Sequence, residues 1–206
     1  MARAATSSVP RAAVIVGAIA LAALLVLAGV LVAGSSDEGP FQGEPDTPSG
    51  YLTHEDEVGG QRFSFAYPRS WGEPEQGRDR FSVTLAAEGE DSPEGTRPFL
   101  QARIRPDAGA DFESYVEVAK AQTRVNAGLG SARITDEQDV EVEGAEEAQL
   151  VDFRYETDTN SGREPARLLV LFAATPGATF VSFGVGAPES TGFDPRPVVE
   201  SFRFED

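Results

Sequence analysis

The chain has 206 residues, one histidine and no cysteine, which excludes thiolate catalysis, thiolate metal sites, disulfides and a lipid-modified cysteine. All 34 acidic residues and all but two of the 17 basic ones follow residue 34, so that part carries a net charge of −19. Such a surface repels nucleic-acid phosphates and anionic lipid head groups alike, and neither is an expected partner.

Arg3 and Arg11 precede an uncharged apolar run, Ala12 to Ala33, of 22 residues. At 1.5 Å per residue, a helix of that length spans the roughly 30 Å hydrocarbon core of a bilayer. The arginines before it, and Asp37 and Glu38 after it, put residues 1–11 in the cytoplasm and the remainder outside. The expectation is a single-pass protein of the cell membrane. A cleaved signal peptide ending near Val32-Ala33-Gly34 is the other reading. The apolar region of such peptides runs to about 7–15 residues, and this run is longer, which favours an uncleaved signal anchor. Residues 34–60 are rich in Gly, Pro, Ser, Asp and Glu without apolar periodicity. They read as a flexible acidic linker holding the rest on the order of 30 Å from the membrane.

Residues 61–206 read as one extracytoplasmic domain of α+β class, large enough to fold without disulfide or metal and expected to be monomeric. Phe63, Phe65 and Tyr67 alternate with Ser64 and Ala66, a strand with one aromatic face; Pro68 stops it and Trp71 follows. Arg80 to Leu85 reads as a second strand, 86–98 as an acidic loop, and Phe99 to Ile104 as a third strand. Asp111 to Asn126 is the clear helix: Phe112, Tyr115, Val116, Ala119 and Thr123 share one face, and Asp111 suits the N-cap. Strands resume at Ala132 to Thr135, Gln138 to Glu143 and Glu147 to Thr157. After a polar turn at 158–163 comes Ala166 to Ala174, apolar on both faces from Leu168 onward, as befits a central strand covered on both sides. Thr179 to Val185 is the last long strand. A short helix then starts at Asp194-Pro195. Phe202 and Phe204 alternate, which lets the end of the chain run along a sheet edge.

The residue types that carry chemistry are sparse. His54, the one histidine, falls in the expected linker, where no rigid scaffold would orient it for a triad. His54-Glu55-Asp56-Glu57 reads as a solvated acidic run rather than a metal site. Asp158 to Glu164 places oxygen ligands at alternate positions, but its glycine is fifth and Leu169 occupies the twelfth position of a calcium loop, so a hairpin turn is the better reading. Glu88, Glu90, Asp91 and Glu94 share one loop and do not face each other across a fixed gap as glycosidase carboxylates must. Phosphate-loop spacing is missing, and the one lysine, Lys120, lies mid-helix. Phe65, Tyr67 and Trp71 read as core residues, with a ligand cleft as the alternative.

Two stretches resemble a known family. Phe63-Ser-Phe-Ala-Tyr-Pro-Arg-Ser-Trp71 is similar to the aromatic strand, proline and tryptophan that open PsbP-like domains. Val198-Val-Glu-Ser-Phe-Arg-Phe204 is similar to the helix and Ser-Phe-x-Phe ending of the same group. Within it, the LpqN-type envelope proteins of actinobacteria are the nearest likeness. The resemblance spans residues 61–206 by order of elements. It implies a central antiparallel sheet flanked by helices, an α/β/α sandwich, with a binding or scaffolding role, no catalysis and no cofactor. It transfers no functional residues, since Trp71 and Phe202 match as core positions. The sequence thus suggests a tethered binding module whose partner is another envelope protein or an apolar small ligand. The alternative is an envelope enzyme using carboxylates only.

Overall fold

The computed structural model of the chain describes residues 49–78, 83–89, 96–106, 111–125, 132–160, 162–177 and 179–205. The expected cytoplasmic tail, the apolar run at 12–33 and most of the linker lie outside them. No helix among the described residues is long and apolar enough to cross a membrane.

In chain order the elements are β1 (Tyr51–Val58), β2 (Gln61–Pro68), β3 (Glu75–Arg78), β4 (Val83–Glu88), β5 (Phe99–Arg105), α1 (Phe112–Val125), β6 (Arg133–Asp139), β7 (Glu147–Thr159), β8 (Gly162–Ala174), β9 (Phe180–Pro188), α2 (Arg196–Val199) and β10 (Arg203–Glu205). The doubly apolar stretch of β8 lies inside a seven-stranded sheet of order β3-β4-β5-β9-β8-β7-β6, and every pairing in it is antiparallel. Alternate β8 side chains serve two separate apolar clusters. Leu169, Leu171 and Ala173 face one, while Leu168, Val170 and Phe172 face the other.

The second of these faces is covered by α1. The Asp111 carboxylate accepts the Ser114 N–H at 2.8 Å, capping the helix as its sequence suggests. Tyr115 and Val116 are buried; the Tyr115 ring lies 4.9 Å from Phe180 and meets Phe172 edge-on at 6.3 Å. Burial raises the Tyr115 hydroxyl pKa and pushes that of Tyr155, on the same face, up to about 12. Lys120 is buried too. Burial opposes its charge, but hydrogen bonds to Glu137 of β6 and Glu117 outweigh it and raise its pKa.

The opposite face corrects the expectation of helices on both sides. Its cover is chiefly a second sheet, three-stranded and of order β1-β2-β10, joined by the single turn of α2. The aromatic side of β2 packs onto the large sheet, with Phe65 4.9 Å from Phe183, and Phe202 closes over the same ring at 5.3 Å. A strand with aromatics at alternate positions makes a flat apolar face, which stacks on another sheet as readily as a helix does. Trp71 is 7% exposed, with its ring 5.2 Å from that of Phe193.

The linker expectation for 34–60 is likewise corrected at its C-terminal end. Tyr51 to Val58 pairs along its whole length with β2, from Tyr51↔Pro68 to Val58↔Gln61. It is an edge strand of the small sheet, so it keeps Glu55 and Glu57 in solvent, and charge on an edge strand is ordinary protection against further pairing. Residues 132–143 hold one strand, β6, with a register shift between Ile134 and Asp136, instead of two strands. Within the expected acidic loop, Ala86 to Glu88 still belong to β4, and β3 had no apolar signature at all.

Candidate functional site

The small sheet is narrower than the layer it covers. β10 pairs with β2 from Glu205↔Arg62 to Arg203↔Ser64 and goes no further. Beyond that point Ser201 takes over: its hydroxyl accepts the Ala66 N–H at 2.7 Å and donates to the Val198 carbonyl at 2.6 Å. On the outer side of β10, the Phe204 N–H donates to the Glu143 carbonyl at 2.9 Å, which draws in the connection between β6 and β7. Gly144 makes this approach possible. Its φ is +75°, and a Cβ there would lie 2.7 Å from the Cβ of Phe204.

Where β10 stops short, a cavity of about 560 Å³ opens between β2, α2 with the segment that follows it, and the β6–β7 connection. Phe65, Val142, Leu150, Leu171, Val199 and Phe202 supply its apolar wall. Ser64 also borders it; this residue is fully buried, and its hydroxyl has no hydrogen-bond partner among the described residues. Charges stand at the rim. Arg196 is held by Glu200 at 2.8 Å, and Arg203 lies 3.8 Å from Glu205. Glu141, Glu143 and Glu200 are exposed. The volume falls within the roughly 300–1,000 Å³ typical of small-molecule sites, and so does the mixture of an apolar wall with few polar groups. Such a site can hold a small, mostly apolar molecule away from water.

The residues singled out from sequence are dispersed. His54 is not in a flexible segment: it stands in β1 opposite Phe65, its ring 5.1 Å from the phenyl ring. Its Nε2 is buried without a partner among the described residues, and burial holds the imidazole pKa below its usual value against the pull of Asp56, Glu73 and Glu55. Strand alternation sends Glu55 and Glu57 to one side and His54 and Asp56 to the other. At 158–164 the hairpin closes with Thr159 opposite Gly162, and Arg163 reaches Asp158 at 3.2 Å. Glu88 pairs with Arg97 at 2.9 Å; Glu90, Asp91 and Glu94 lie outside the described residues. Of the aromatic trio, Phe65 lines the cavity, whereas Tyr67 and Trp71 are buried beside it in the core.

Val142 and Arg196 had no motif to announce them, and the resemblance that includes Ser64 and Ser201 gave neither a role. The one available signal was Ser64, a small polar residue inside an otherwise apolar strand, and alternation alone assigned it to solvent.

No family model matches the chain, and no curated protein matches it. Among solved structures, one that is similar is PA94 from Pseudomonas aeruginosa, a protein described as being of unknown function. It is 13% identical, with a TM-score of 0.40, over 68% of this chain and 86% of that one.

Proposed function

We propose that the chain is a membrane-anchored, extracytoplasmic binding module whose cavity takes up a mostly apolar small molecule, for itself or for delivery to another envelope protein. The observation that carries this is the cavity: about 560 Å³, walled by residues from β2, β7, β8 and the C-terminal segment. Closing such a space with larger side chains would have been the simpler route to a stable core, since voids forfeit packing. The apolar run at 12–33, with arginines on its N-terminal side, supports the anchoring and the outward orientation. The resemblance of the two aromatic stretches to LpqN-type envelope proteins agrees with a binding role.

The test is to purify the full chain from its native membrane and analyse organic extracts by mass spectrometry, beside a Val142→Trp chain. A compound enriched with the first and depleted from the second is the expected result. Identical extracts from the two would remove the cavity from the account. Orientation is tested separately by protease treatment of cells stripped of their outer layers, where digestion of the domain is expected. Full protection until lysis would reverse the topology.

A further inference from the structure

We infer that the cavity is gated by acid: protonation of His54 withdraws the ring that backs Phe65, and the loosened wall lets the ligand go. This rests on the reading of the cavity as a binding site. Phe65 is the link. It lines the cavity, is 1% exposed, and touches two other rings, Phe183 at 4.9 Å and His54 at 5.1 Å. Phe183 belongs to β9, inside the large sheet, and is fixed by strands on both sides. His54 stands on β1, an edge strand held by β2 alone within its sheet. Of the two rings, it is the one free to leave.

The chemistry of the imidazole supplies the trigger. Its Nε2 is buried without a partner among the described residues. A neutral ring tolerates this, because one of its nitrogens is a bare acceptor. An imidazolium carries N–H on both nitrogens, so protonation in place leaves a charged donor buried with no acceptor, which is far more unfavourable. Burial accordingly lowers the imidazole pKa, while Asp56, Glu73 and Glu55 pull the other way. Asp56 shares the His54 side of β1 by strand alternation, and its carboxylate accepts Gln76 Nε2 of β3 at 3.0 Å. Glu73 lies just before β3, and Glu55 is exposed. β2 meets the ring with Phe65, which has no charge to offer. Packing thus favours a neutral ring against Phe65, and charge favours an imidazolium turned out toward the carboxylates. Proton and ligand oppose each other, and by reciprocity a filled cavity makes His54 harder to protonate.

The probe is radiolabelled 2-ethylnaphthalene, which has no titratable group. The full chain in nonionic detergent is dialysed to equilibrium against it between pH 7.5 and 5.0. Val142→Trp and Leu171→Phe are the blanks for uptake by micelles. His54 is the one histidine, and histidine is the side chain whose ordinary pKa falls in this interval. Affinity is expected to fall at least about fivefold from the upper to the lower pH, with circular dichroism still showing a folded chain. His54→Gln and His54→Phe take up no proton there and should bind at pH 5.0 as they do at pH 7.5. The second keeps a ring against Phe65, and either suffices should the other fail to fold. A wild-type affinity level with pH, an equal fall in the variants, or a fall that accompanies loss of the folded signal overturns the gate and leaves the cavity a binding site. If binding at pH 7.5 does not exceed both blanks, the binding-site reading itself falls.

Discussion

On the helix side of the large sheet, Tyr115 and Val116 are pressed among Phe153, Phe172 and Phe180, and the aromatic rings meet edge-on or tilted at 4.9–6.3 Å. On the other side, β2, β10 and the residue before it cover the same strands with Phe63, Phe65, Phe204 and Phe202, yet leave a cavity of about 560 Å³ and a buried hydroxyl without a partner among the described residues. The two covers differ in kind. A helix presents a curved stripe whose long side chains reach into the pleats beneath it. A second sheet lies about 10 Å away, and its side chains fill that gap only where both sheets have strands. Because β10 ends opposite Ser64, one side of the molecule is closed by packing and the other by an incomplete layer. If the cavity is a binding site, as proposed, the face that binds is the one closed by the incomplete layer.

That division can be attacked by substitution. Phe172, 1% exposed beneath α1, should cost about 3–5 kcal/mol when replaced by Ala, with the co-purified compound retained at temperatures where the chain is folded. Urea unfolding followed by circular dichroism measures the first, and mass spectrometry of organic extracts the second. A loss of that compound as complete as in Val142→Trp would show that the two faces are not independent. Trp71→Ala belongs in the same range of about 3–5 kcal/mol. If it instead left stability intact and abolished binding, Trp71 would belong to the site and not to the core.

Gly144→Ala strikes the incomplete layer itself. The residue has φ +75°, and the added methyl would meet Phe204 at 2.7 Å, so a loss of about 1–3 kcal/mol is expected. The cavity should loosen with it and retain less of the co-purified compound. Unaltered binding would mean that the β6–β7 connection is not part of the wall.

His54 gives a smaller effect with a defined sign. Burial lowers its pKa in the folded state, so the unfolded chain takes up the proton more readily. The stabilising contribution is therefore complete above the unfolded value near 6.5 and declines as pH falls from there toward the lower folded value. Unfolding curves from pH 7.5 to 5 should diverge between the wild-type chain and His54→Gln, the wild type losing more. Parallel curves would show that the ring is not desolvated in the folded chain. The smallest effect is expected at Val125, 79% exposed on α1: Val125→Glu should stay within about 0.5 kcal/mol. A large loss, read by the same unfolding measurement, would reveal a partner for that helix surface.

The core of this fold was plain in the residues because the signals there are local. The apolar stretch of Leu168 to Ala174 marks a strand covered on both faces, and Asp111 followed by Phe112, Tyr115 and Val116 marks a capped amphipathic helix. The edges were hidden. In β1 the run His54-Glu-Asp-Glu57 masks a strand that draws its order from the β2 backbone, and β3, Glu75-Gln-Gly-Arg78, has no apolar residue to show. The cavity was hidden more completely. Ser64, Val142, Leu171 and Val199 become neighbours only through tertiary packing, and none belongs to a motif with chemical meaning of its own.

The small sheet joins residues from the two ends of the described domain: Ser201 caps Ala66 across 135 positions, and Gln61 donates to the Glu205 carbonyl across 144. Contacts so distant along the chain form slowly and late. During synthesis, β1 and β2 therefore wait with one apolar face uncommitted until β10 has emerged. A chain that halts a few residues early leaves Phe63 and Phe65 without β10 beside them, presenting an unfinished edge to proteases and chaperones. The segment 201–205 thus does two things at once: it adds the third strand of the small sheet and supplies part of the cavity wall.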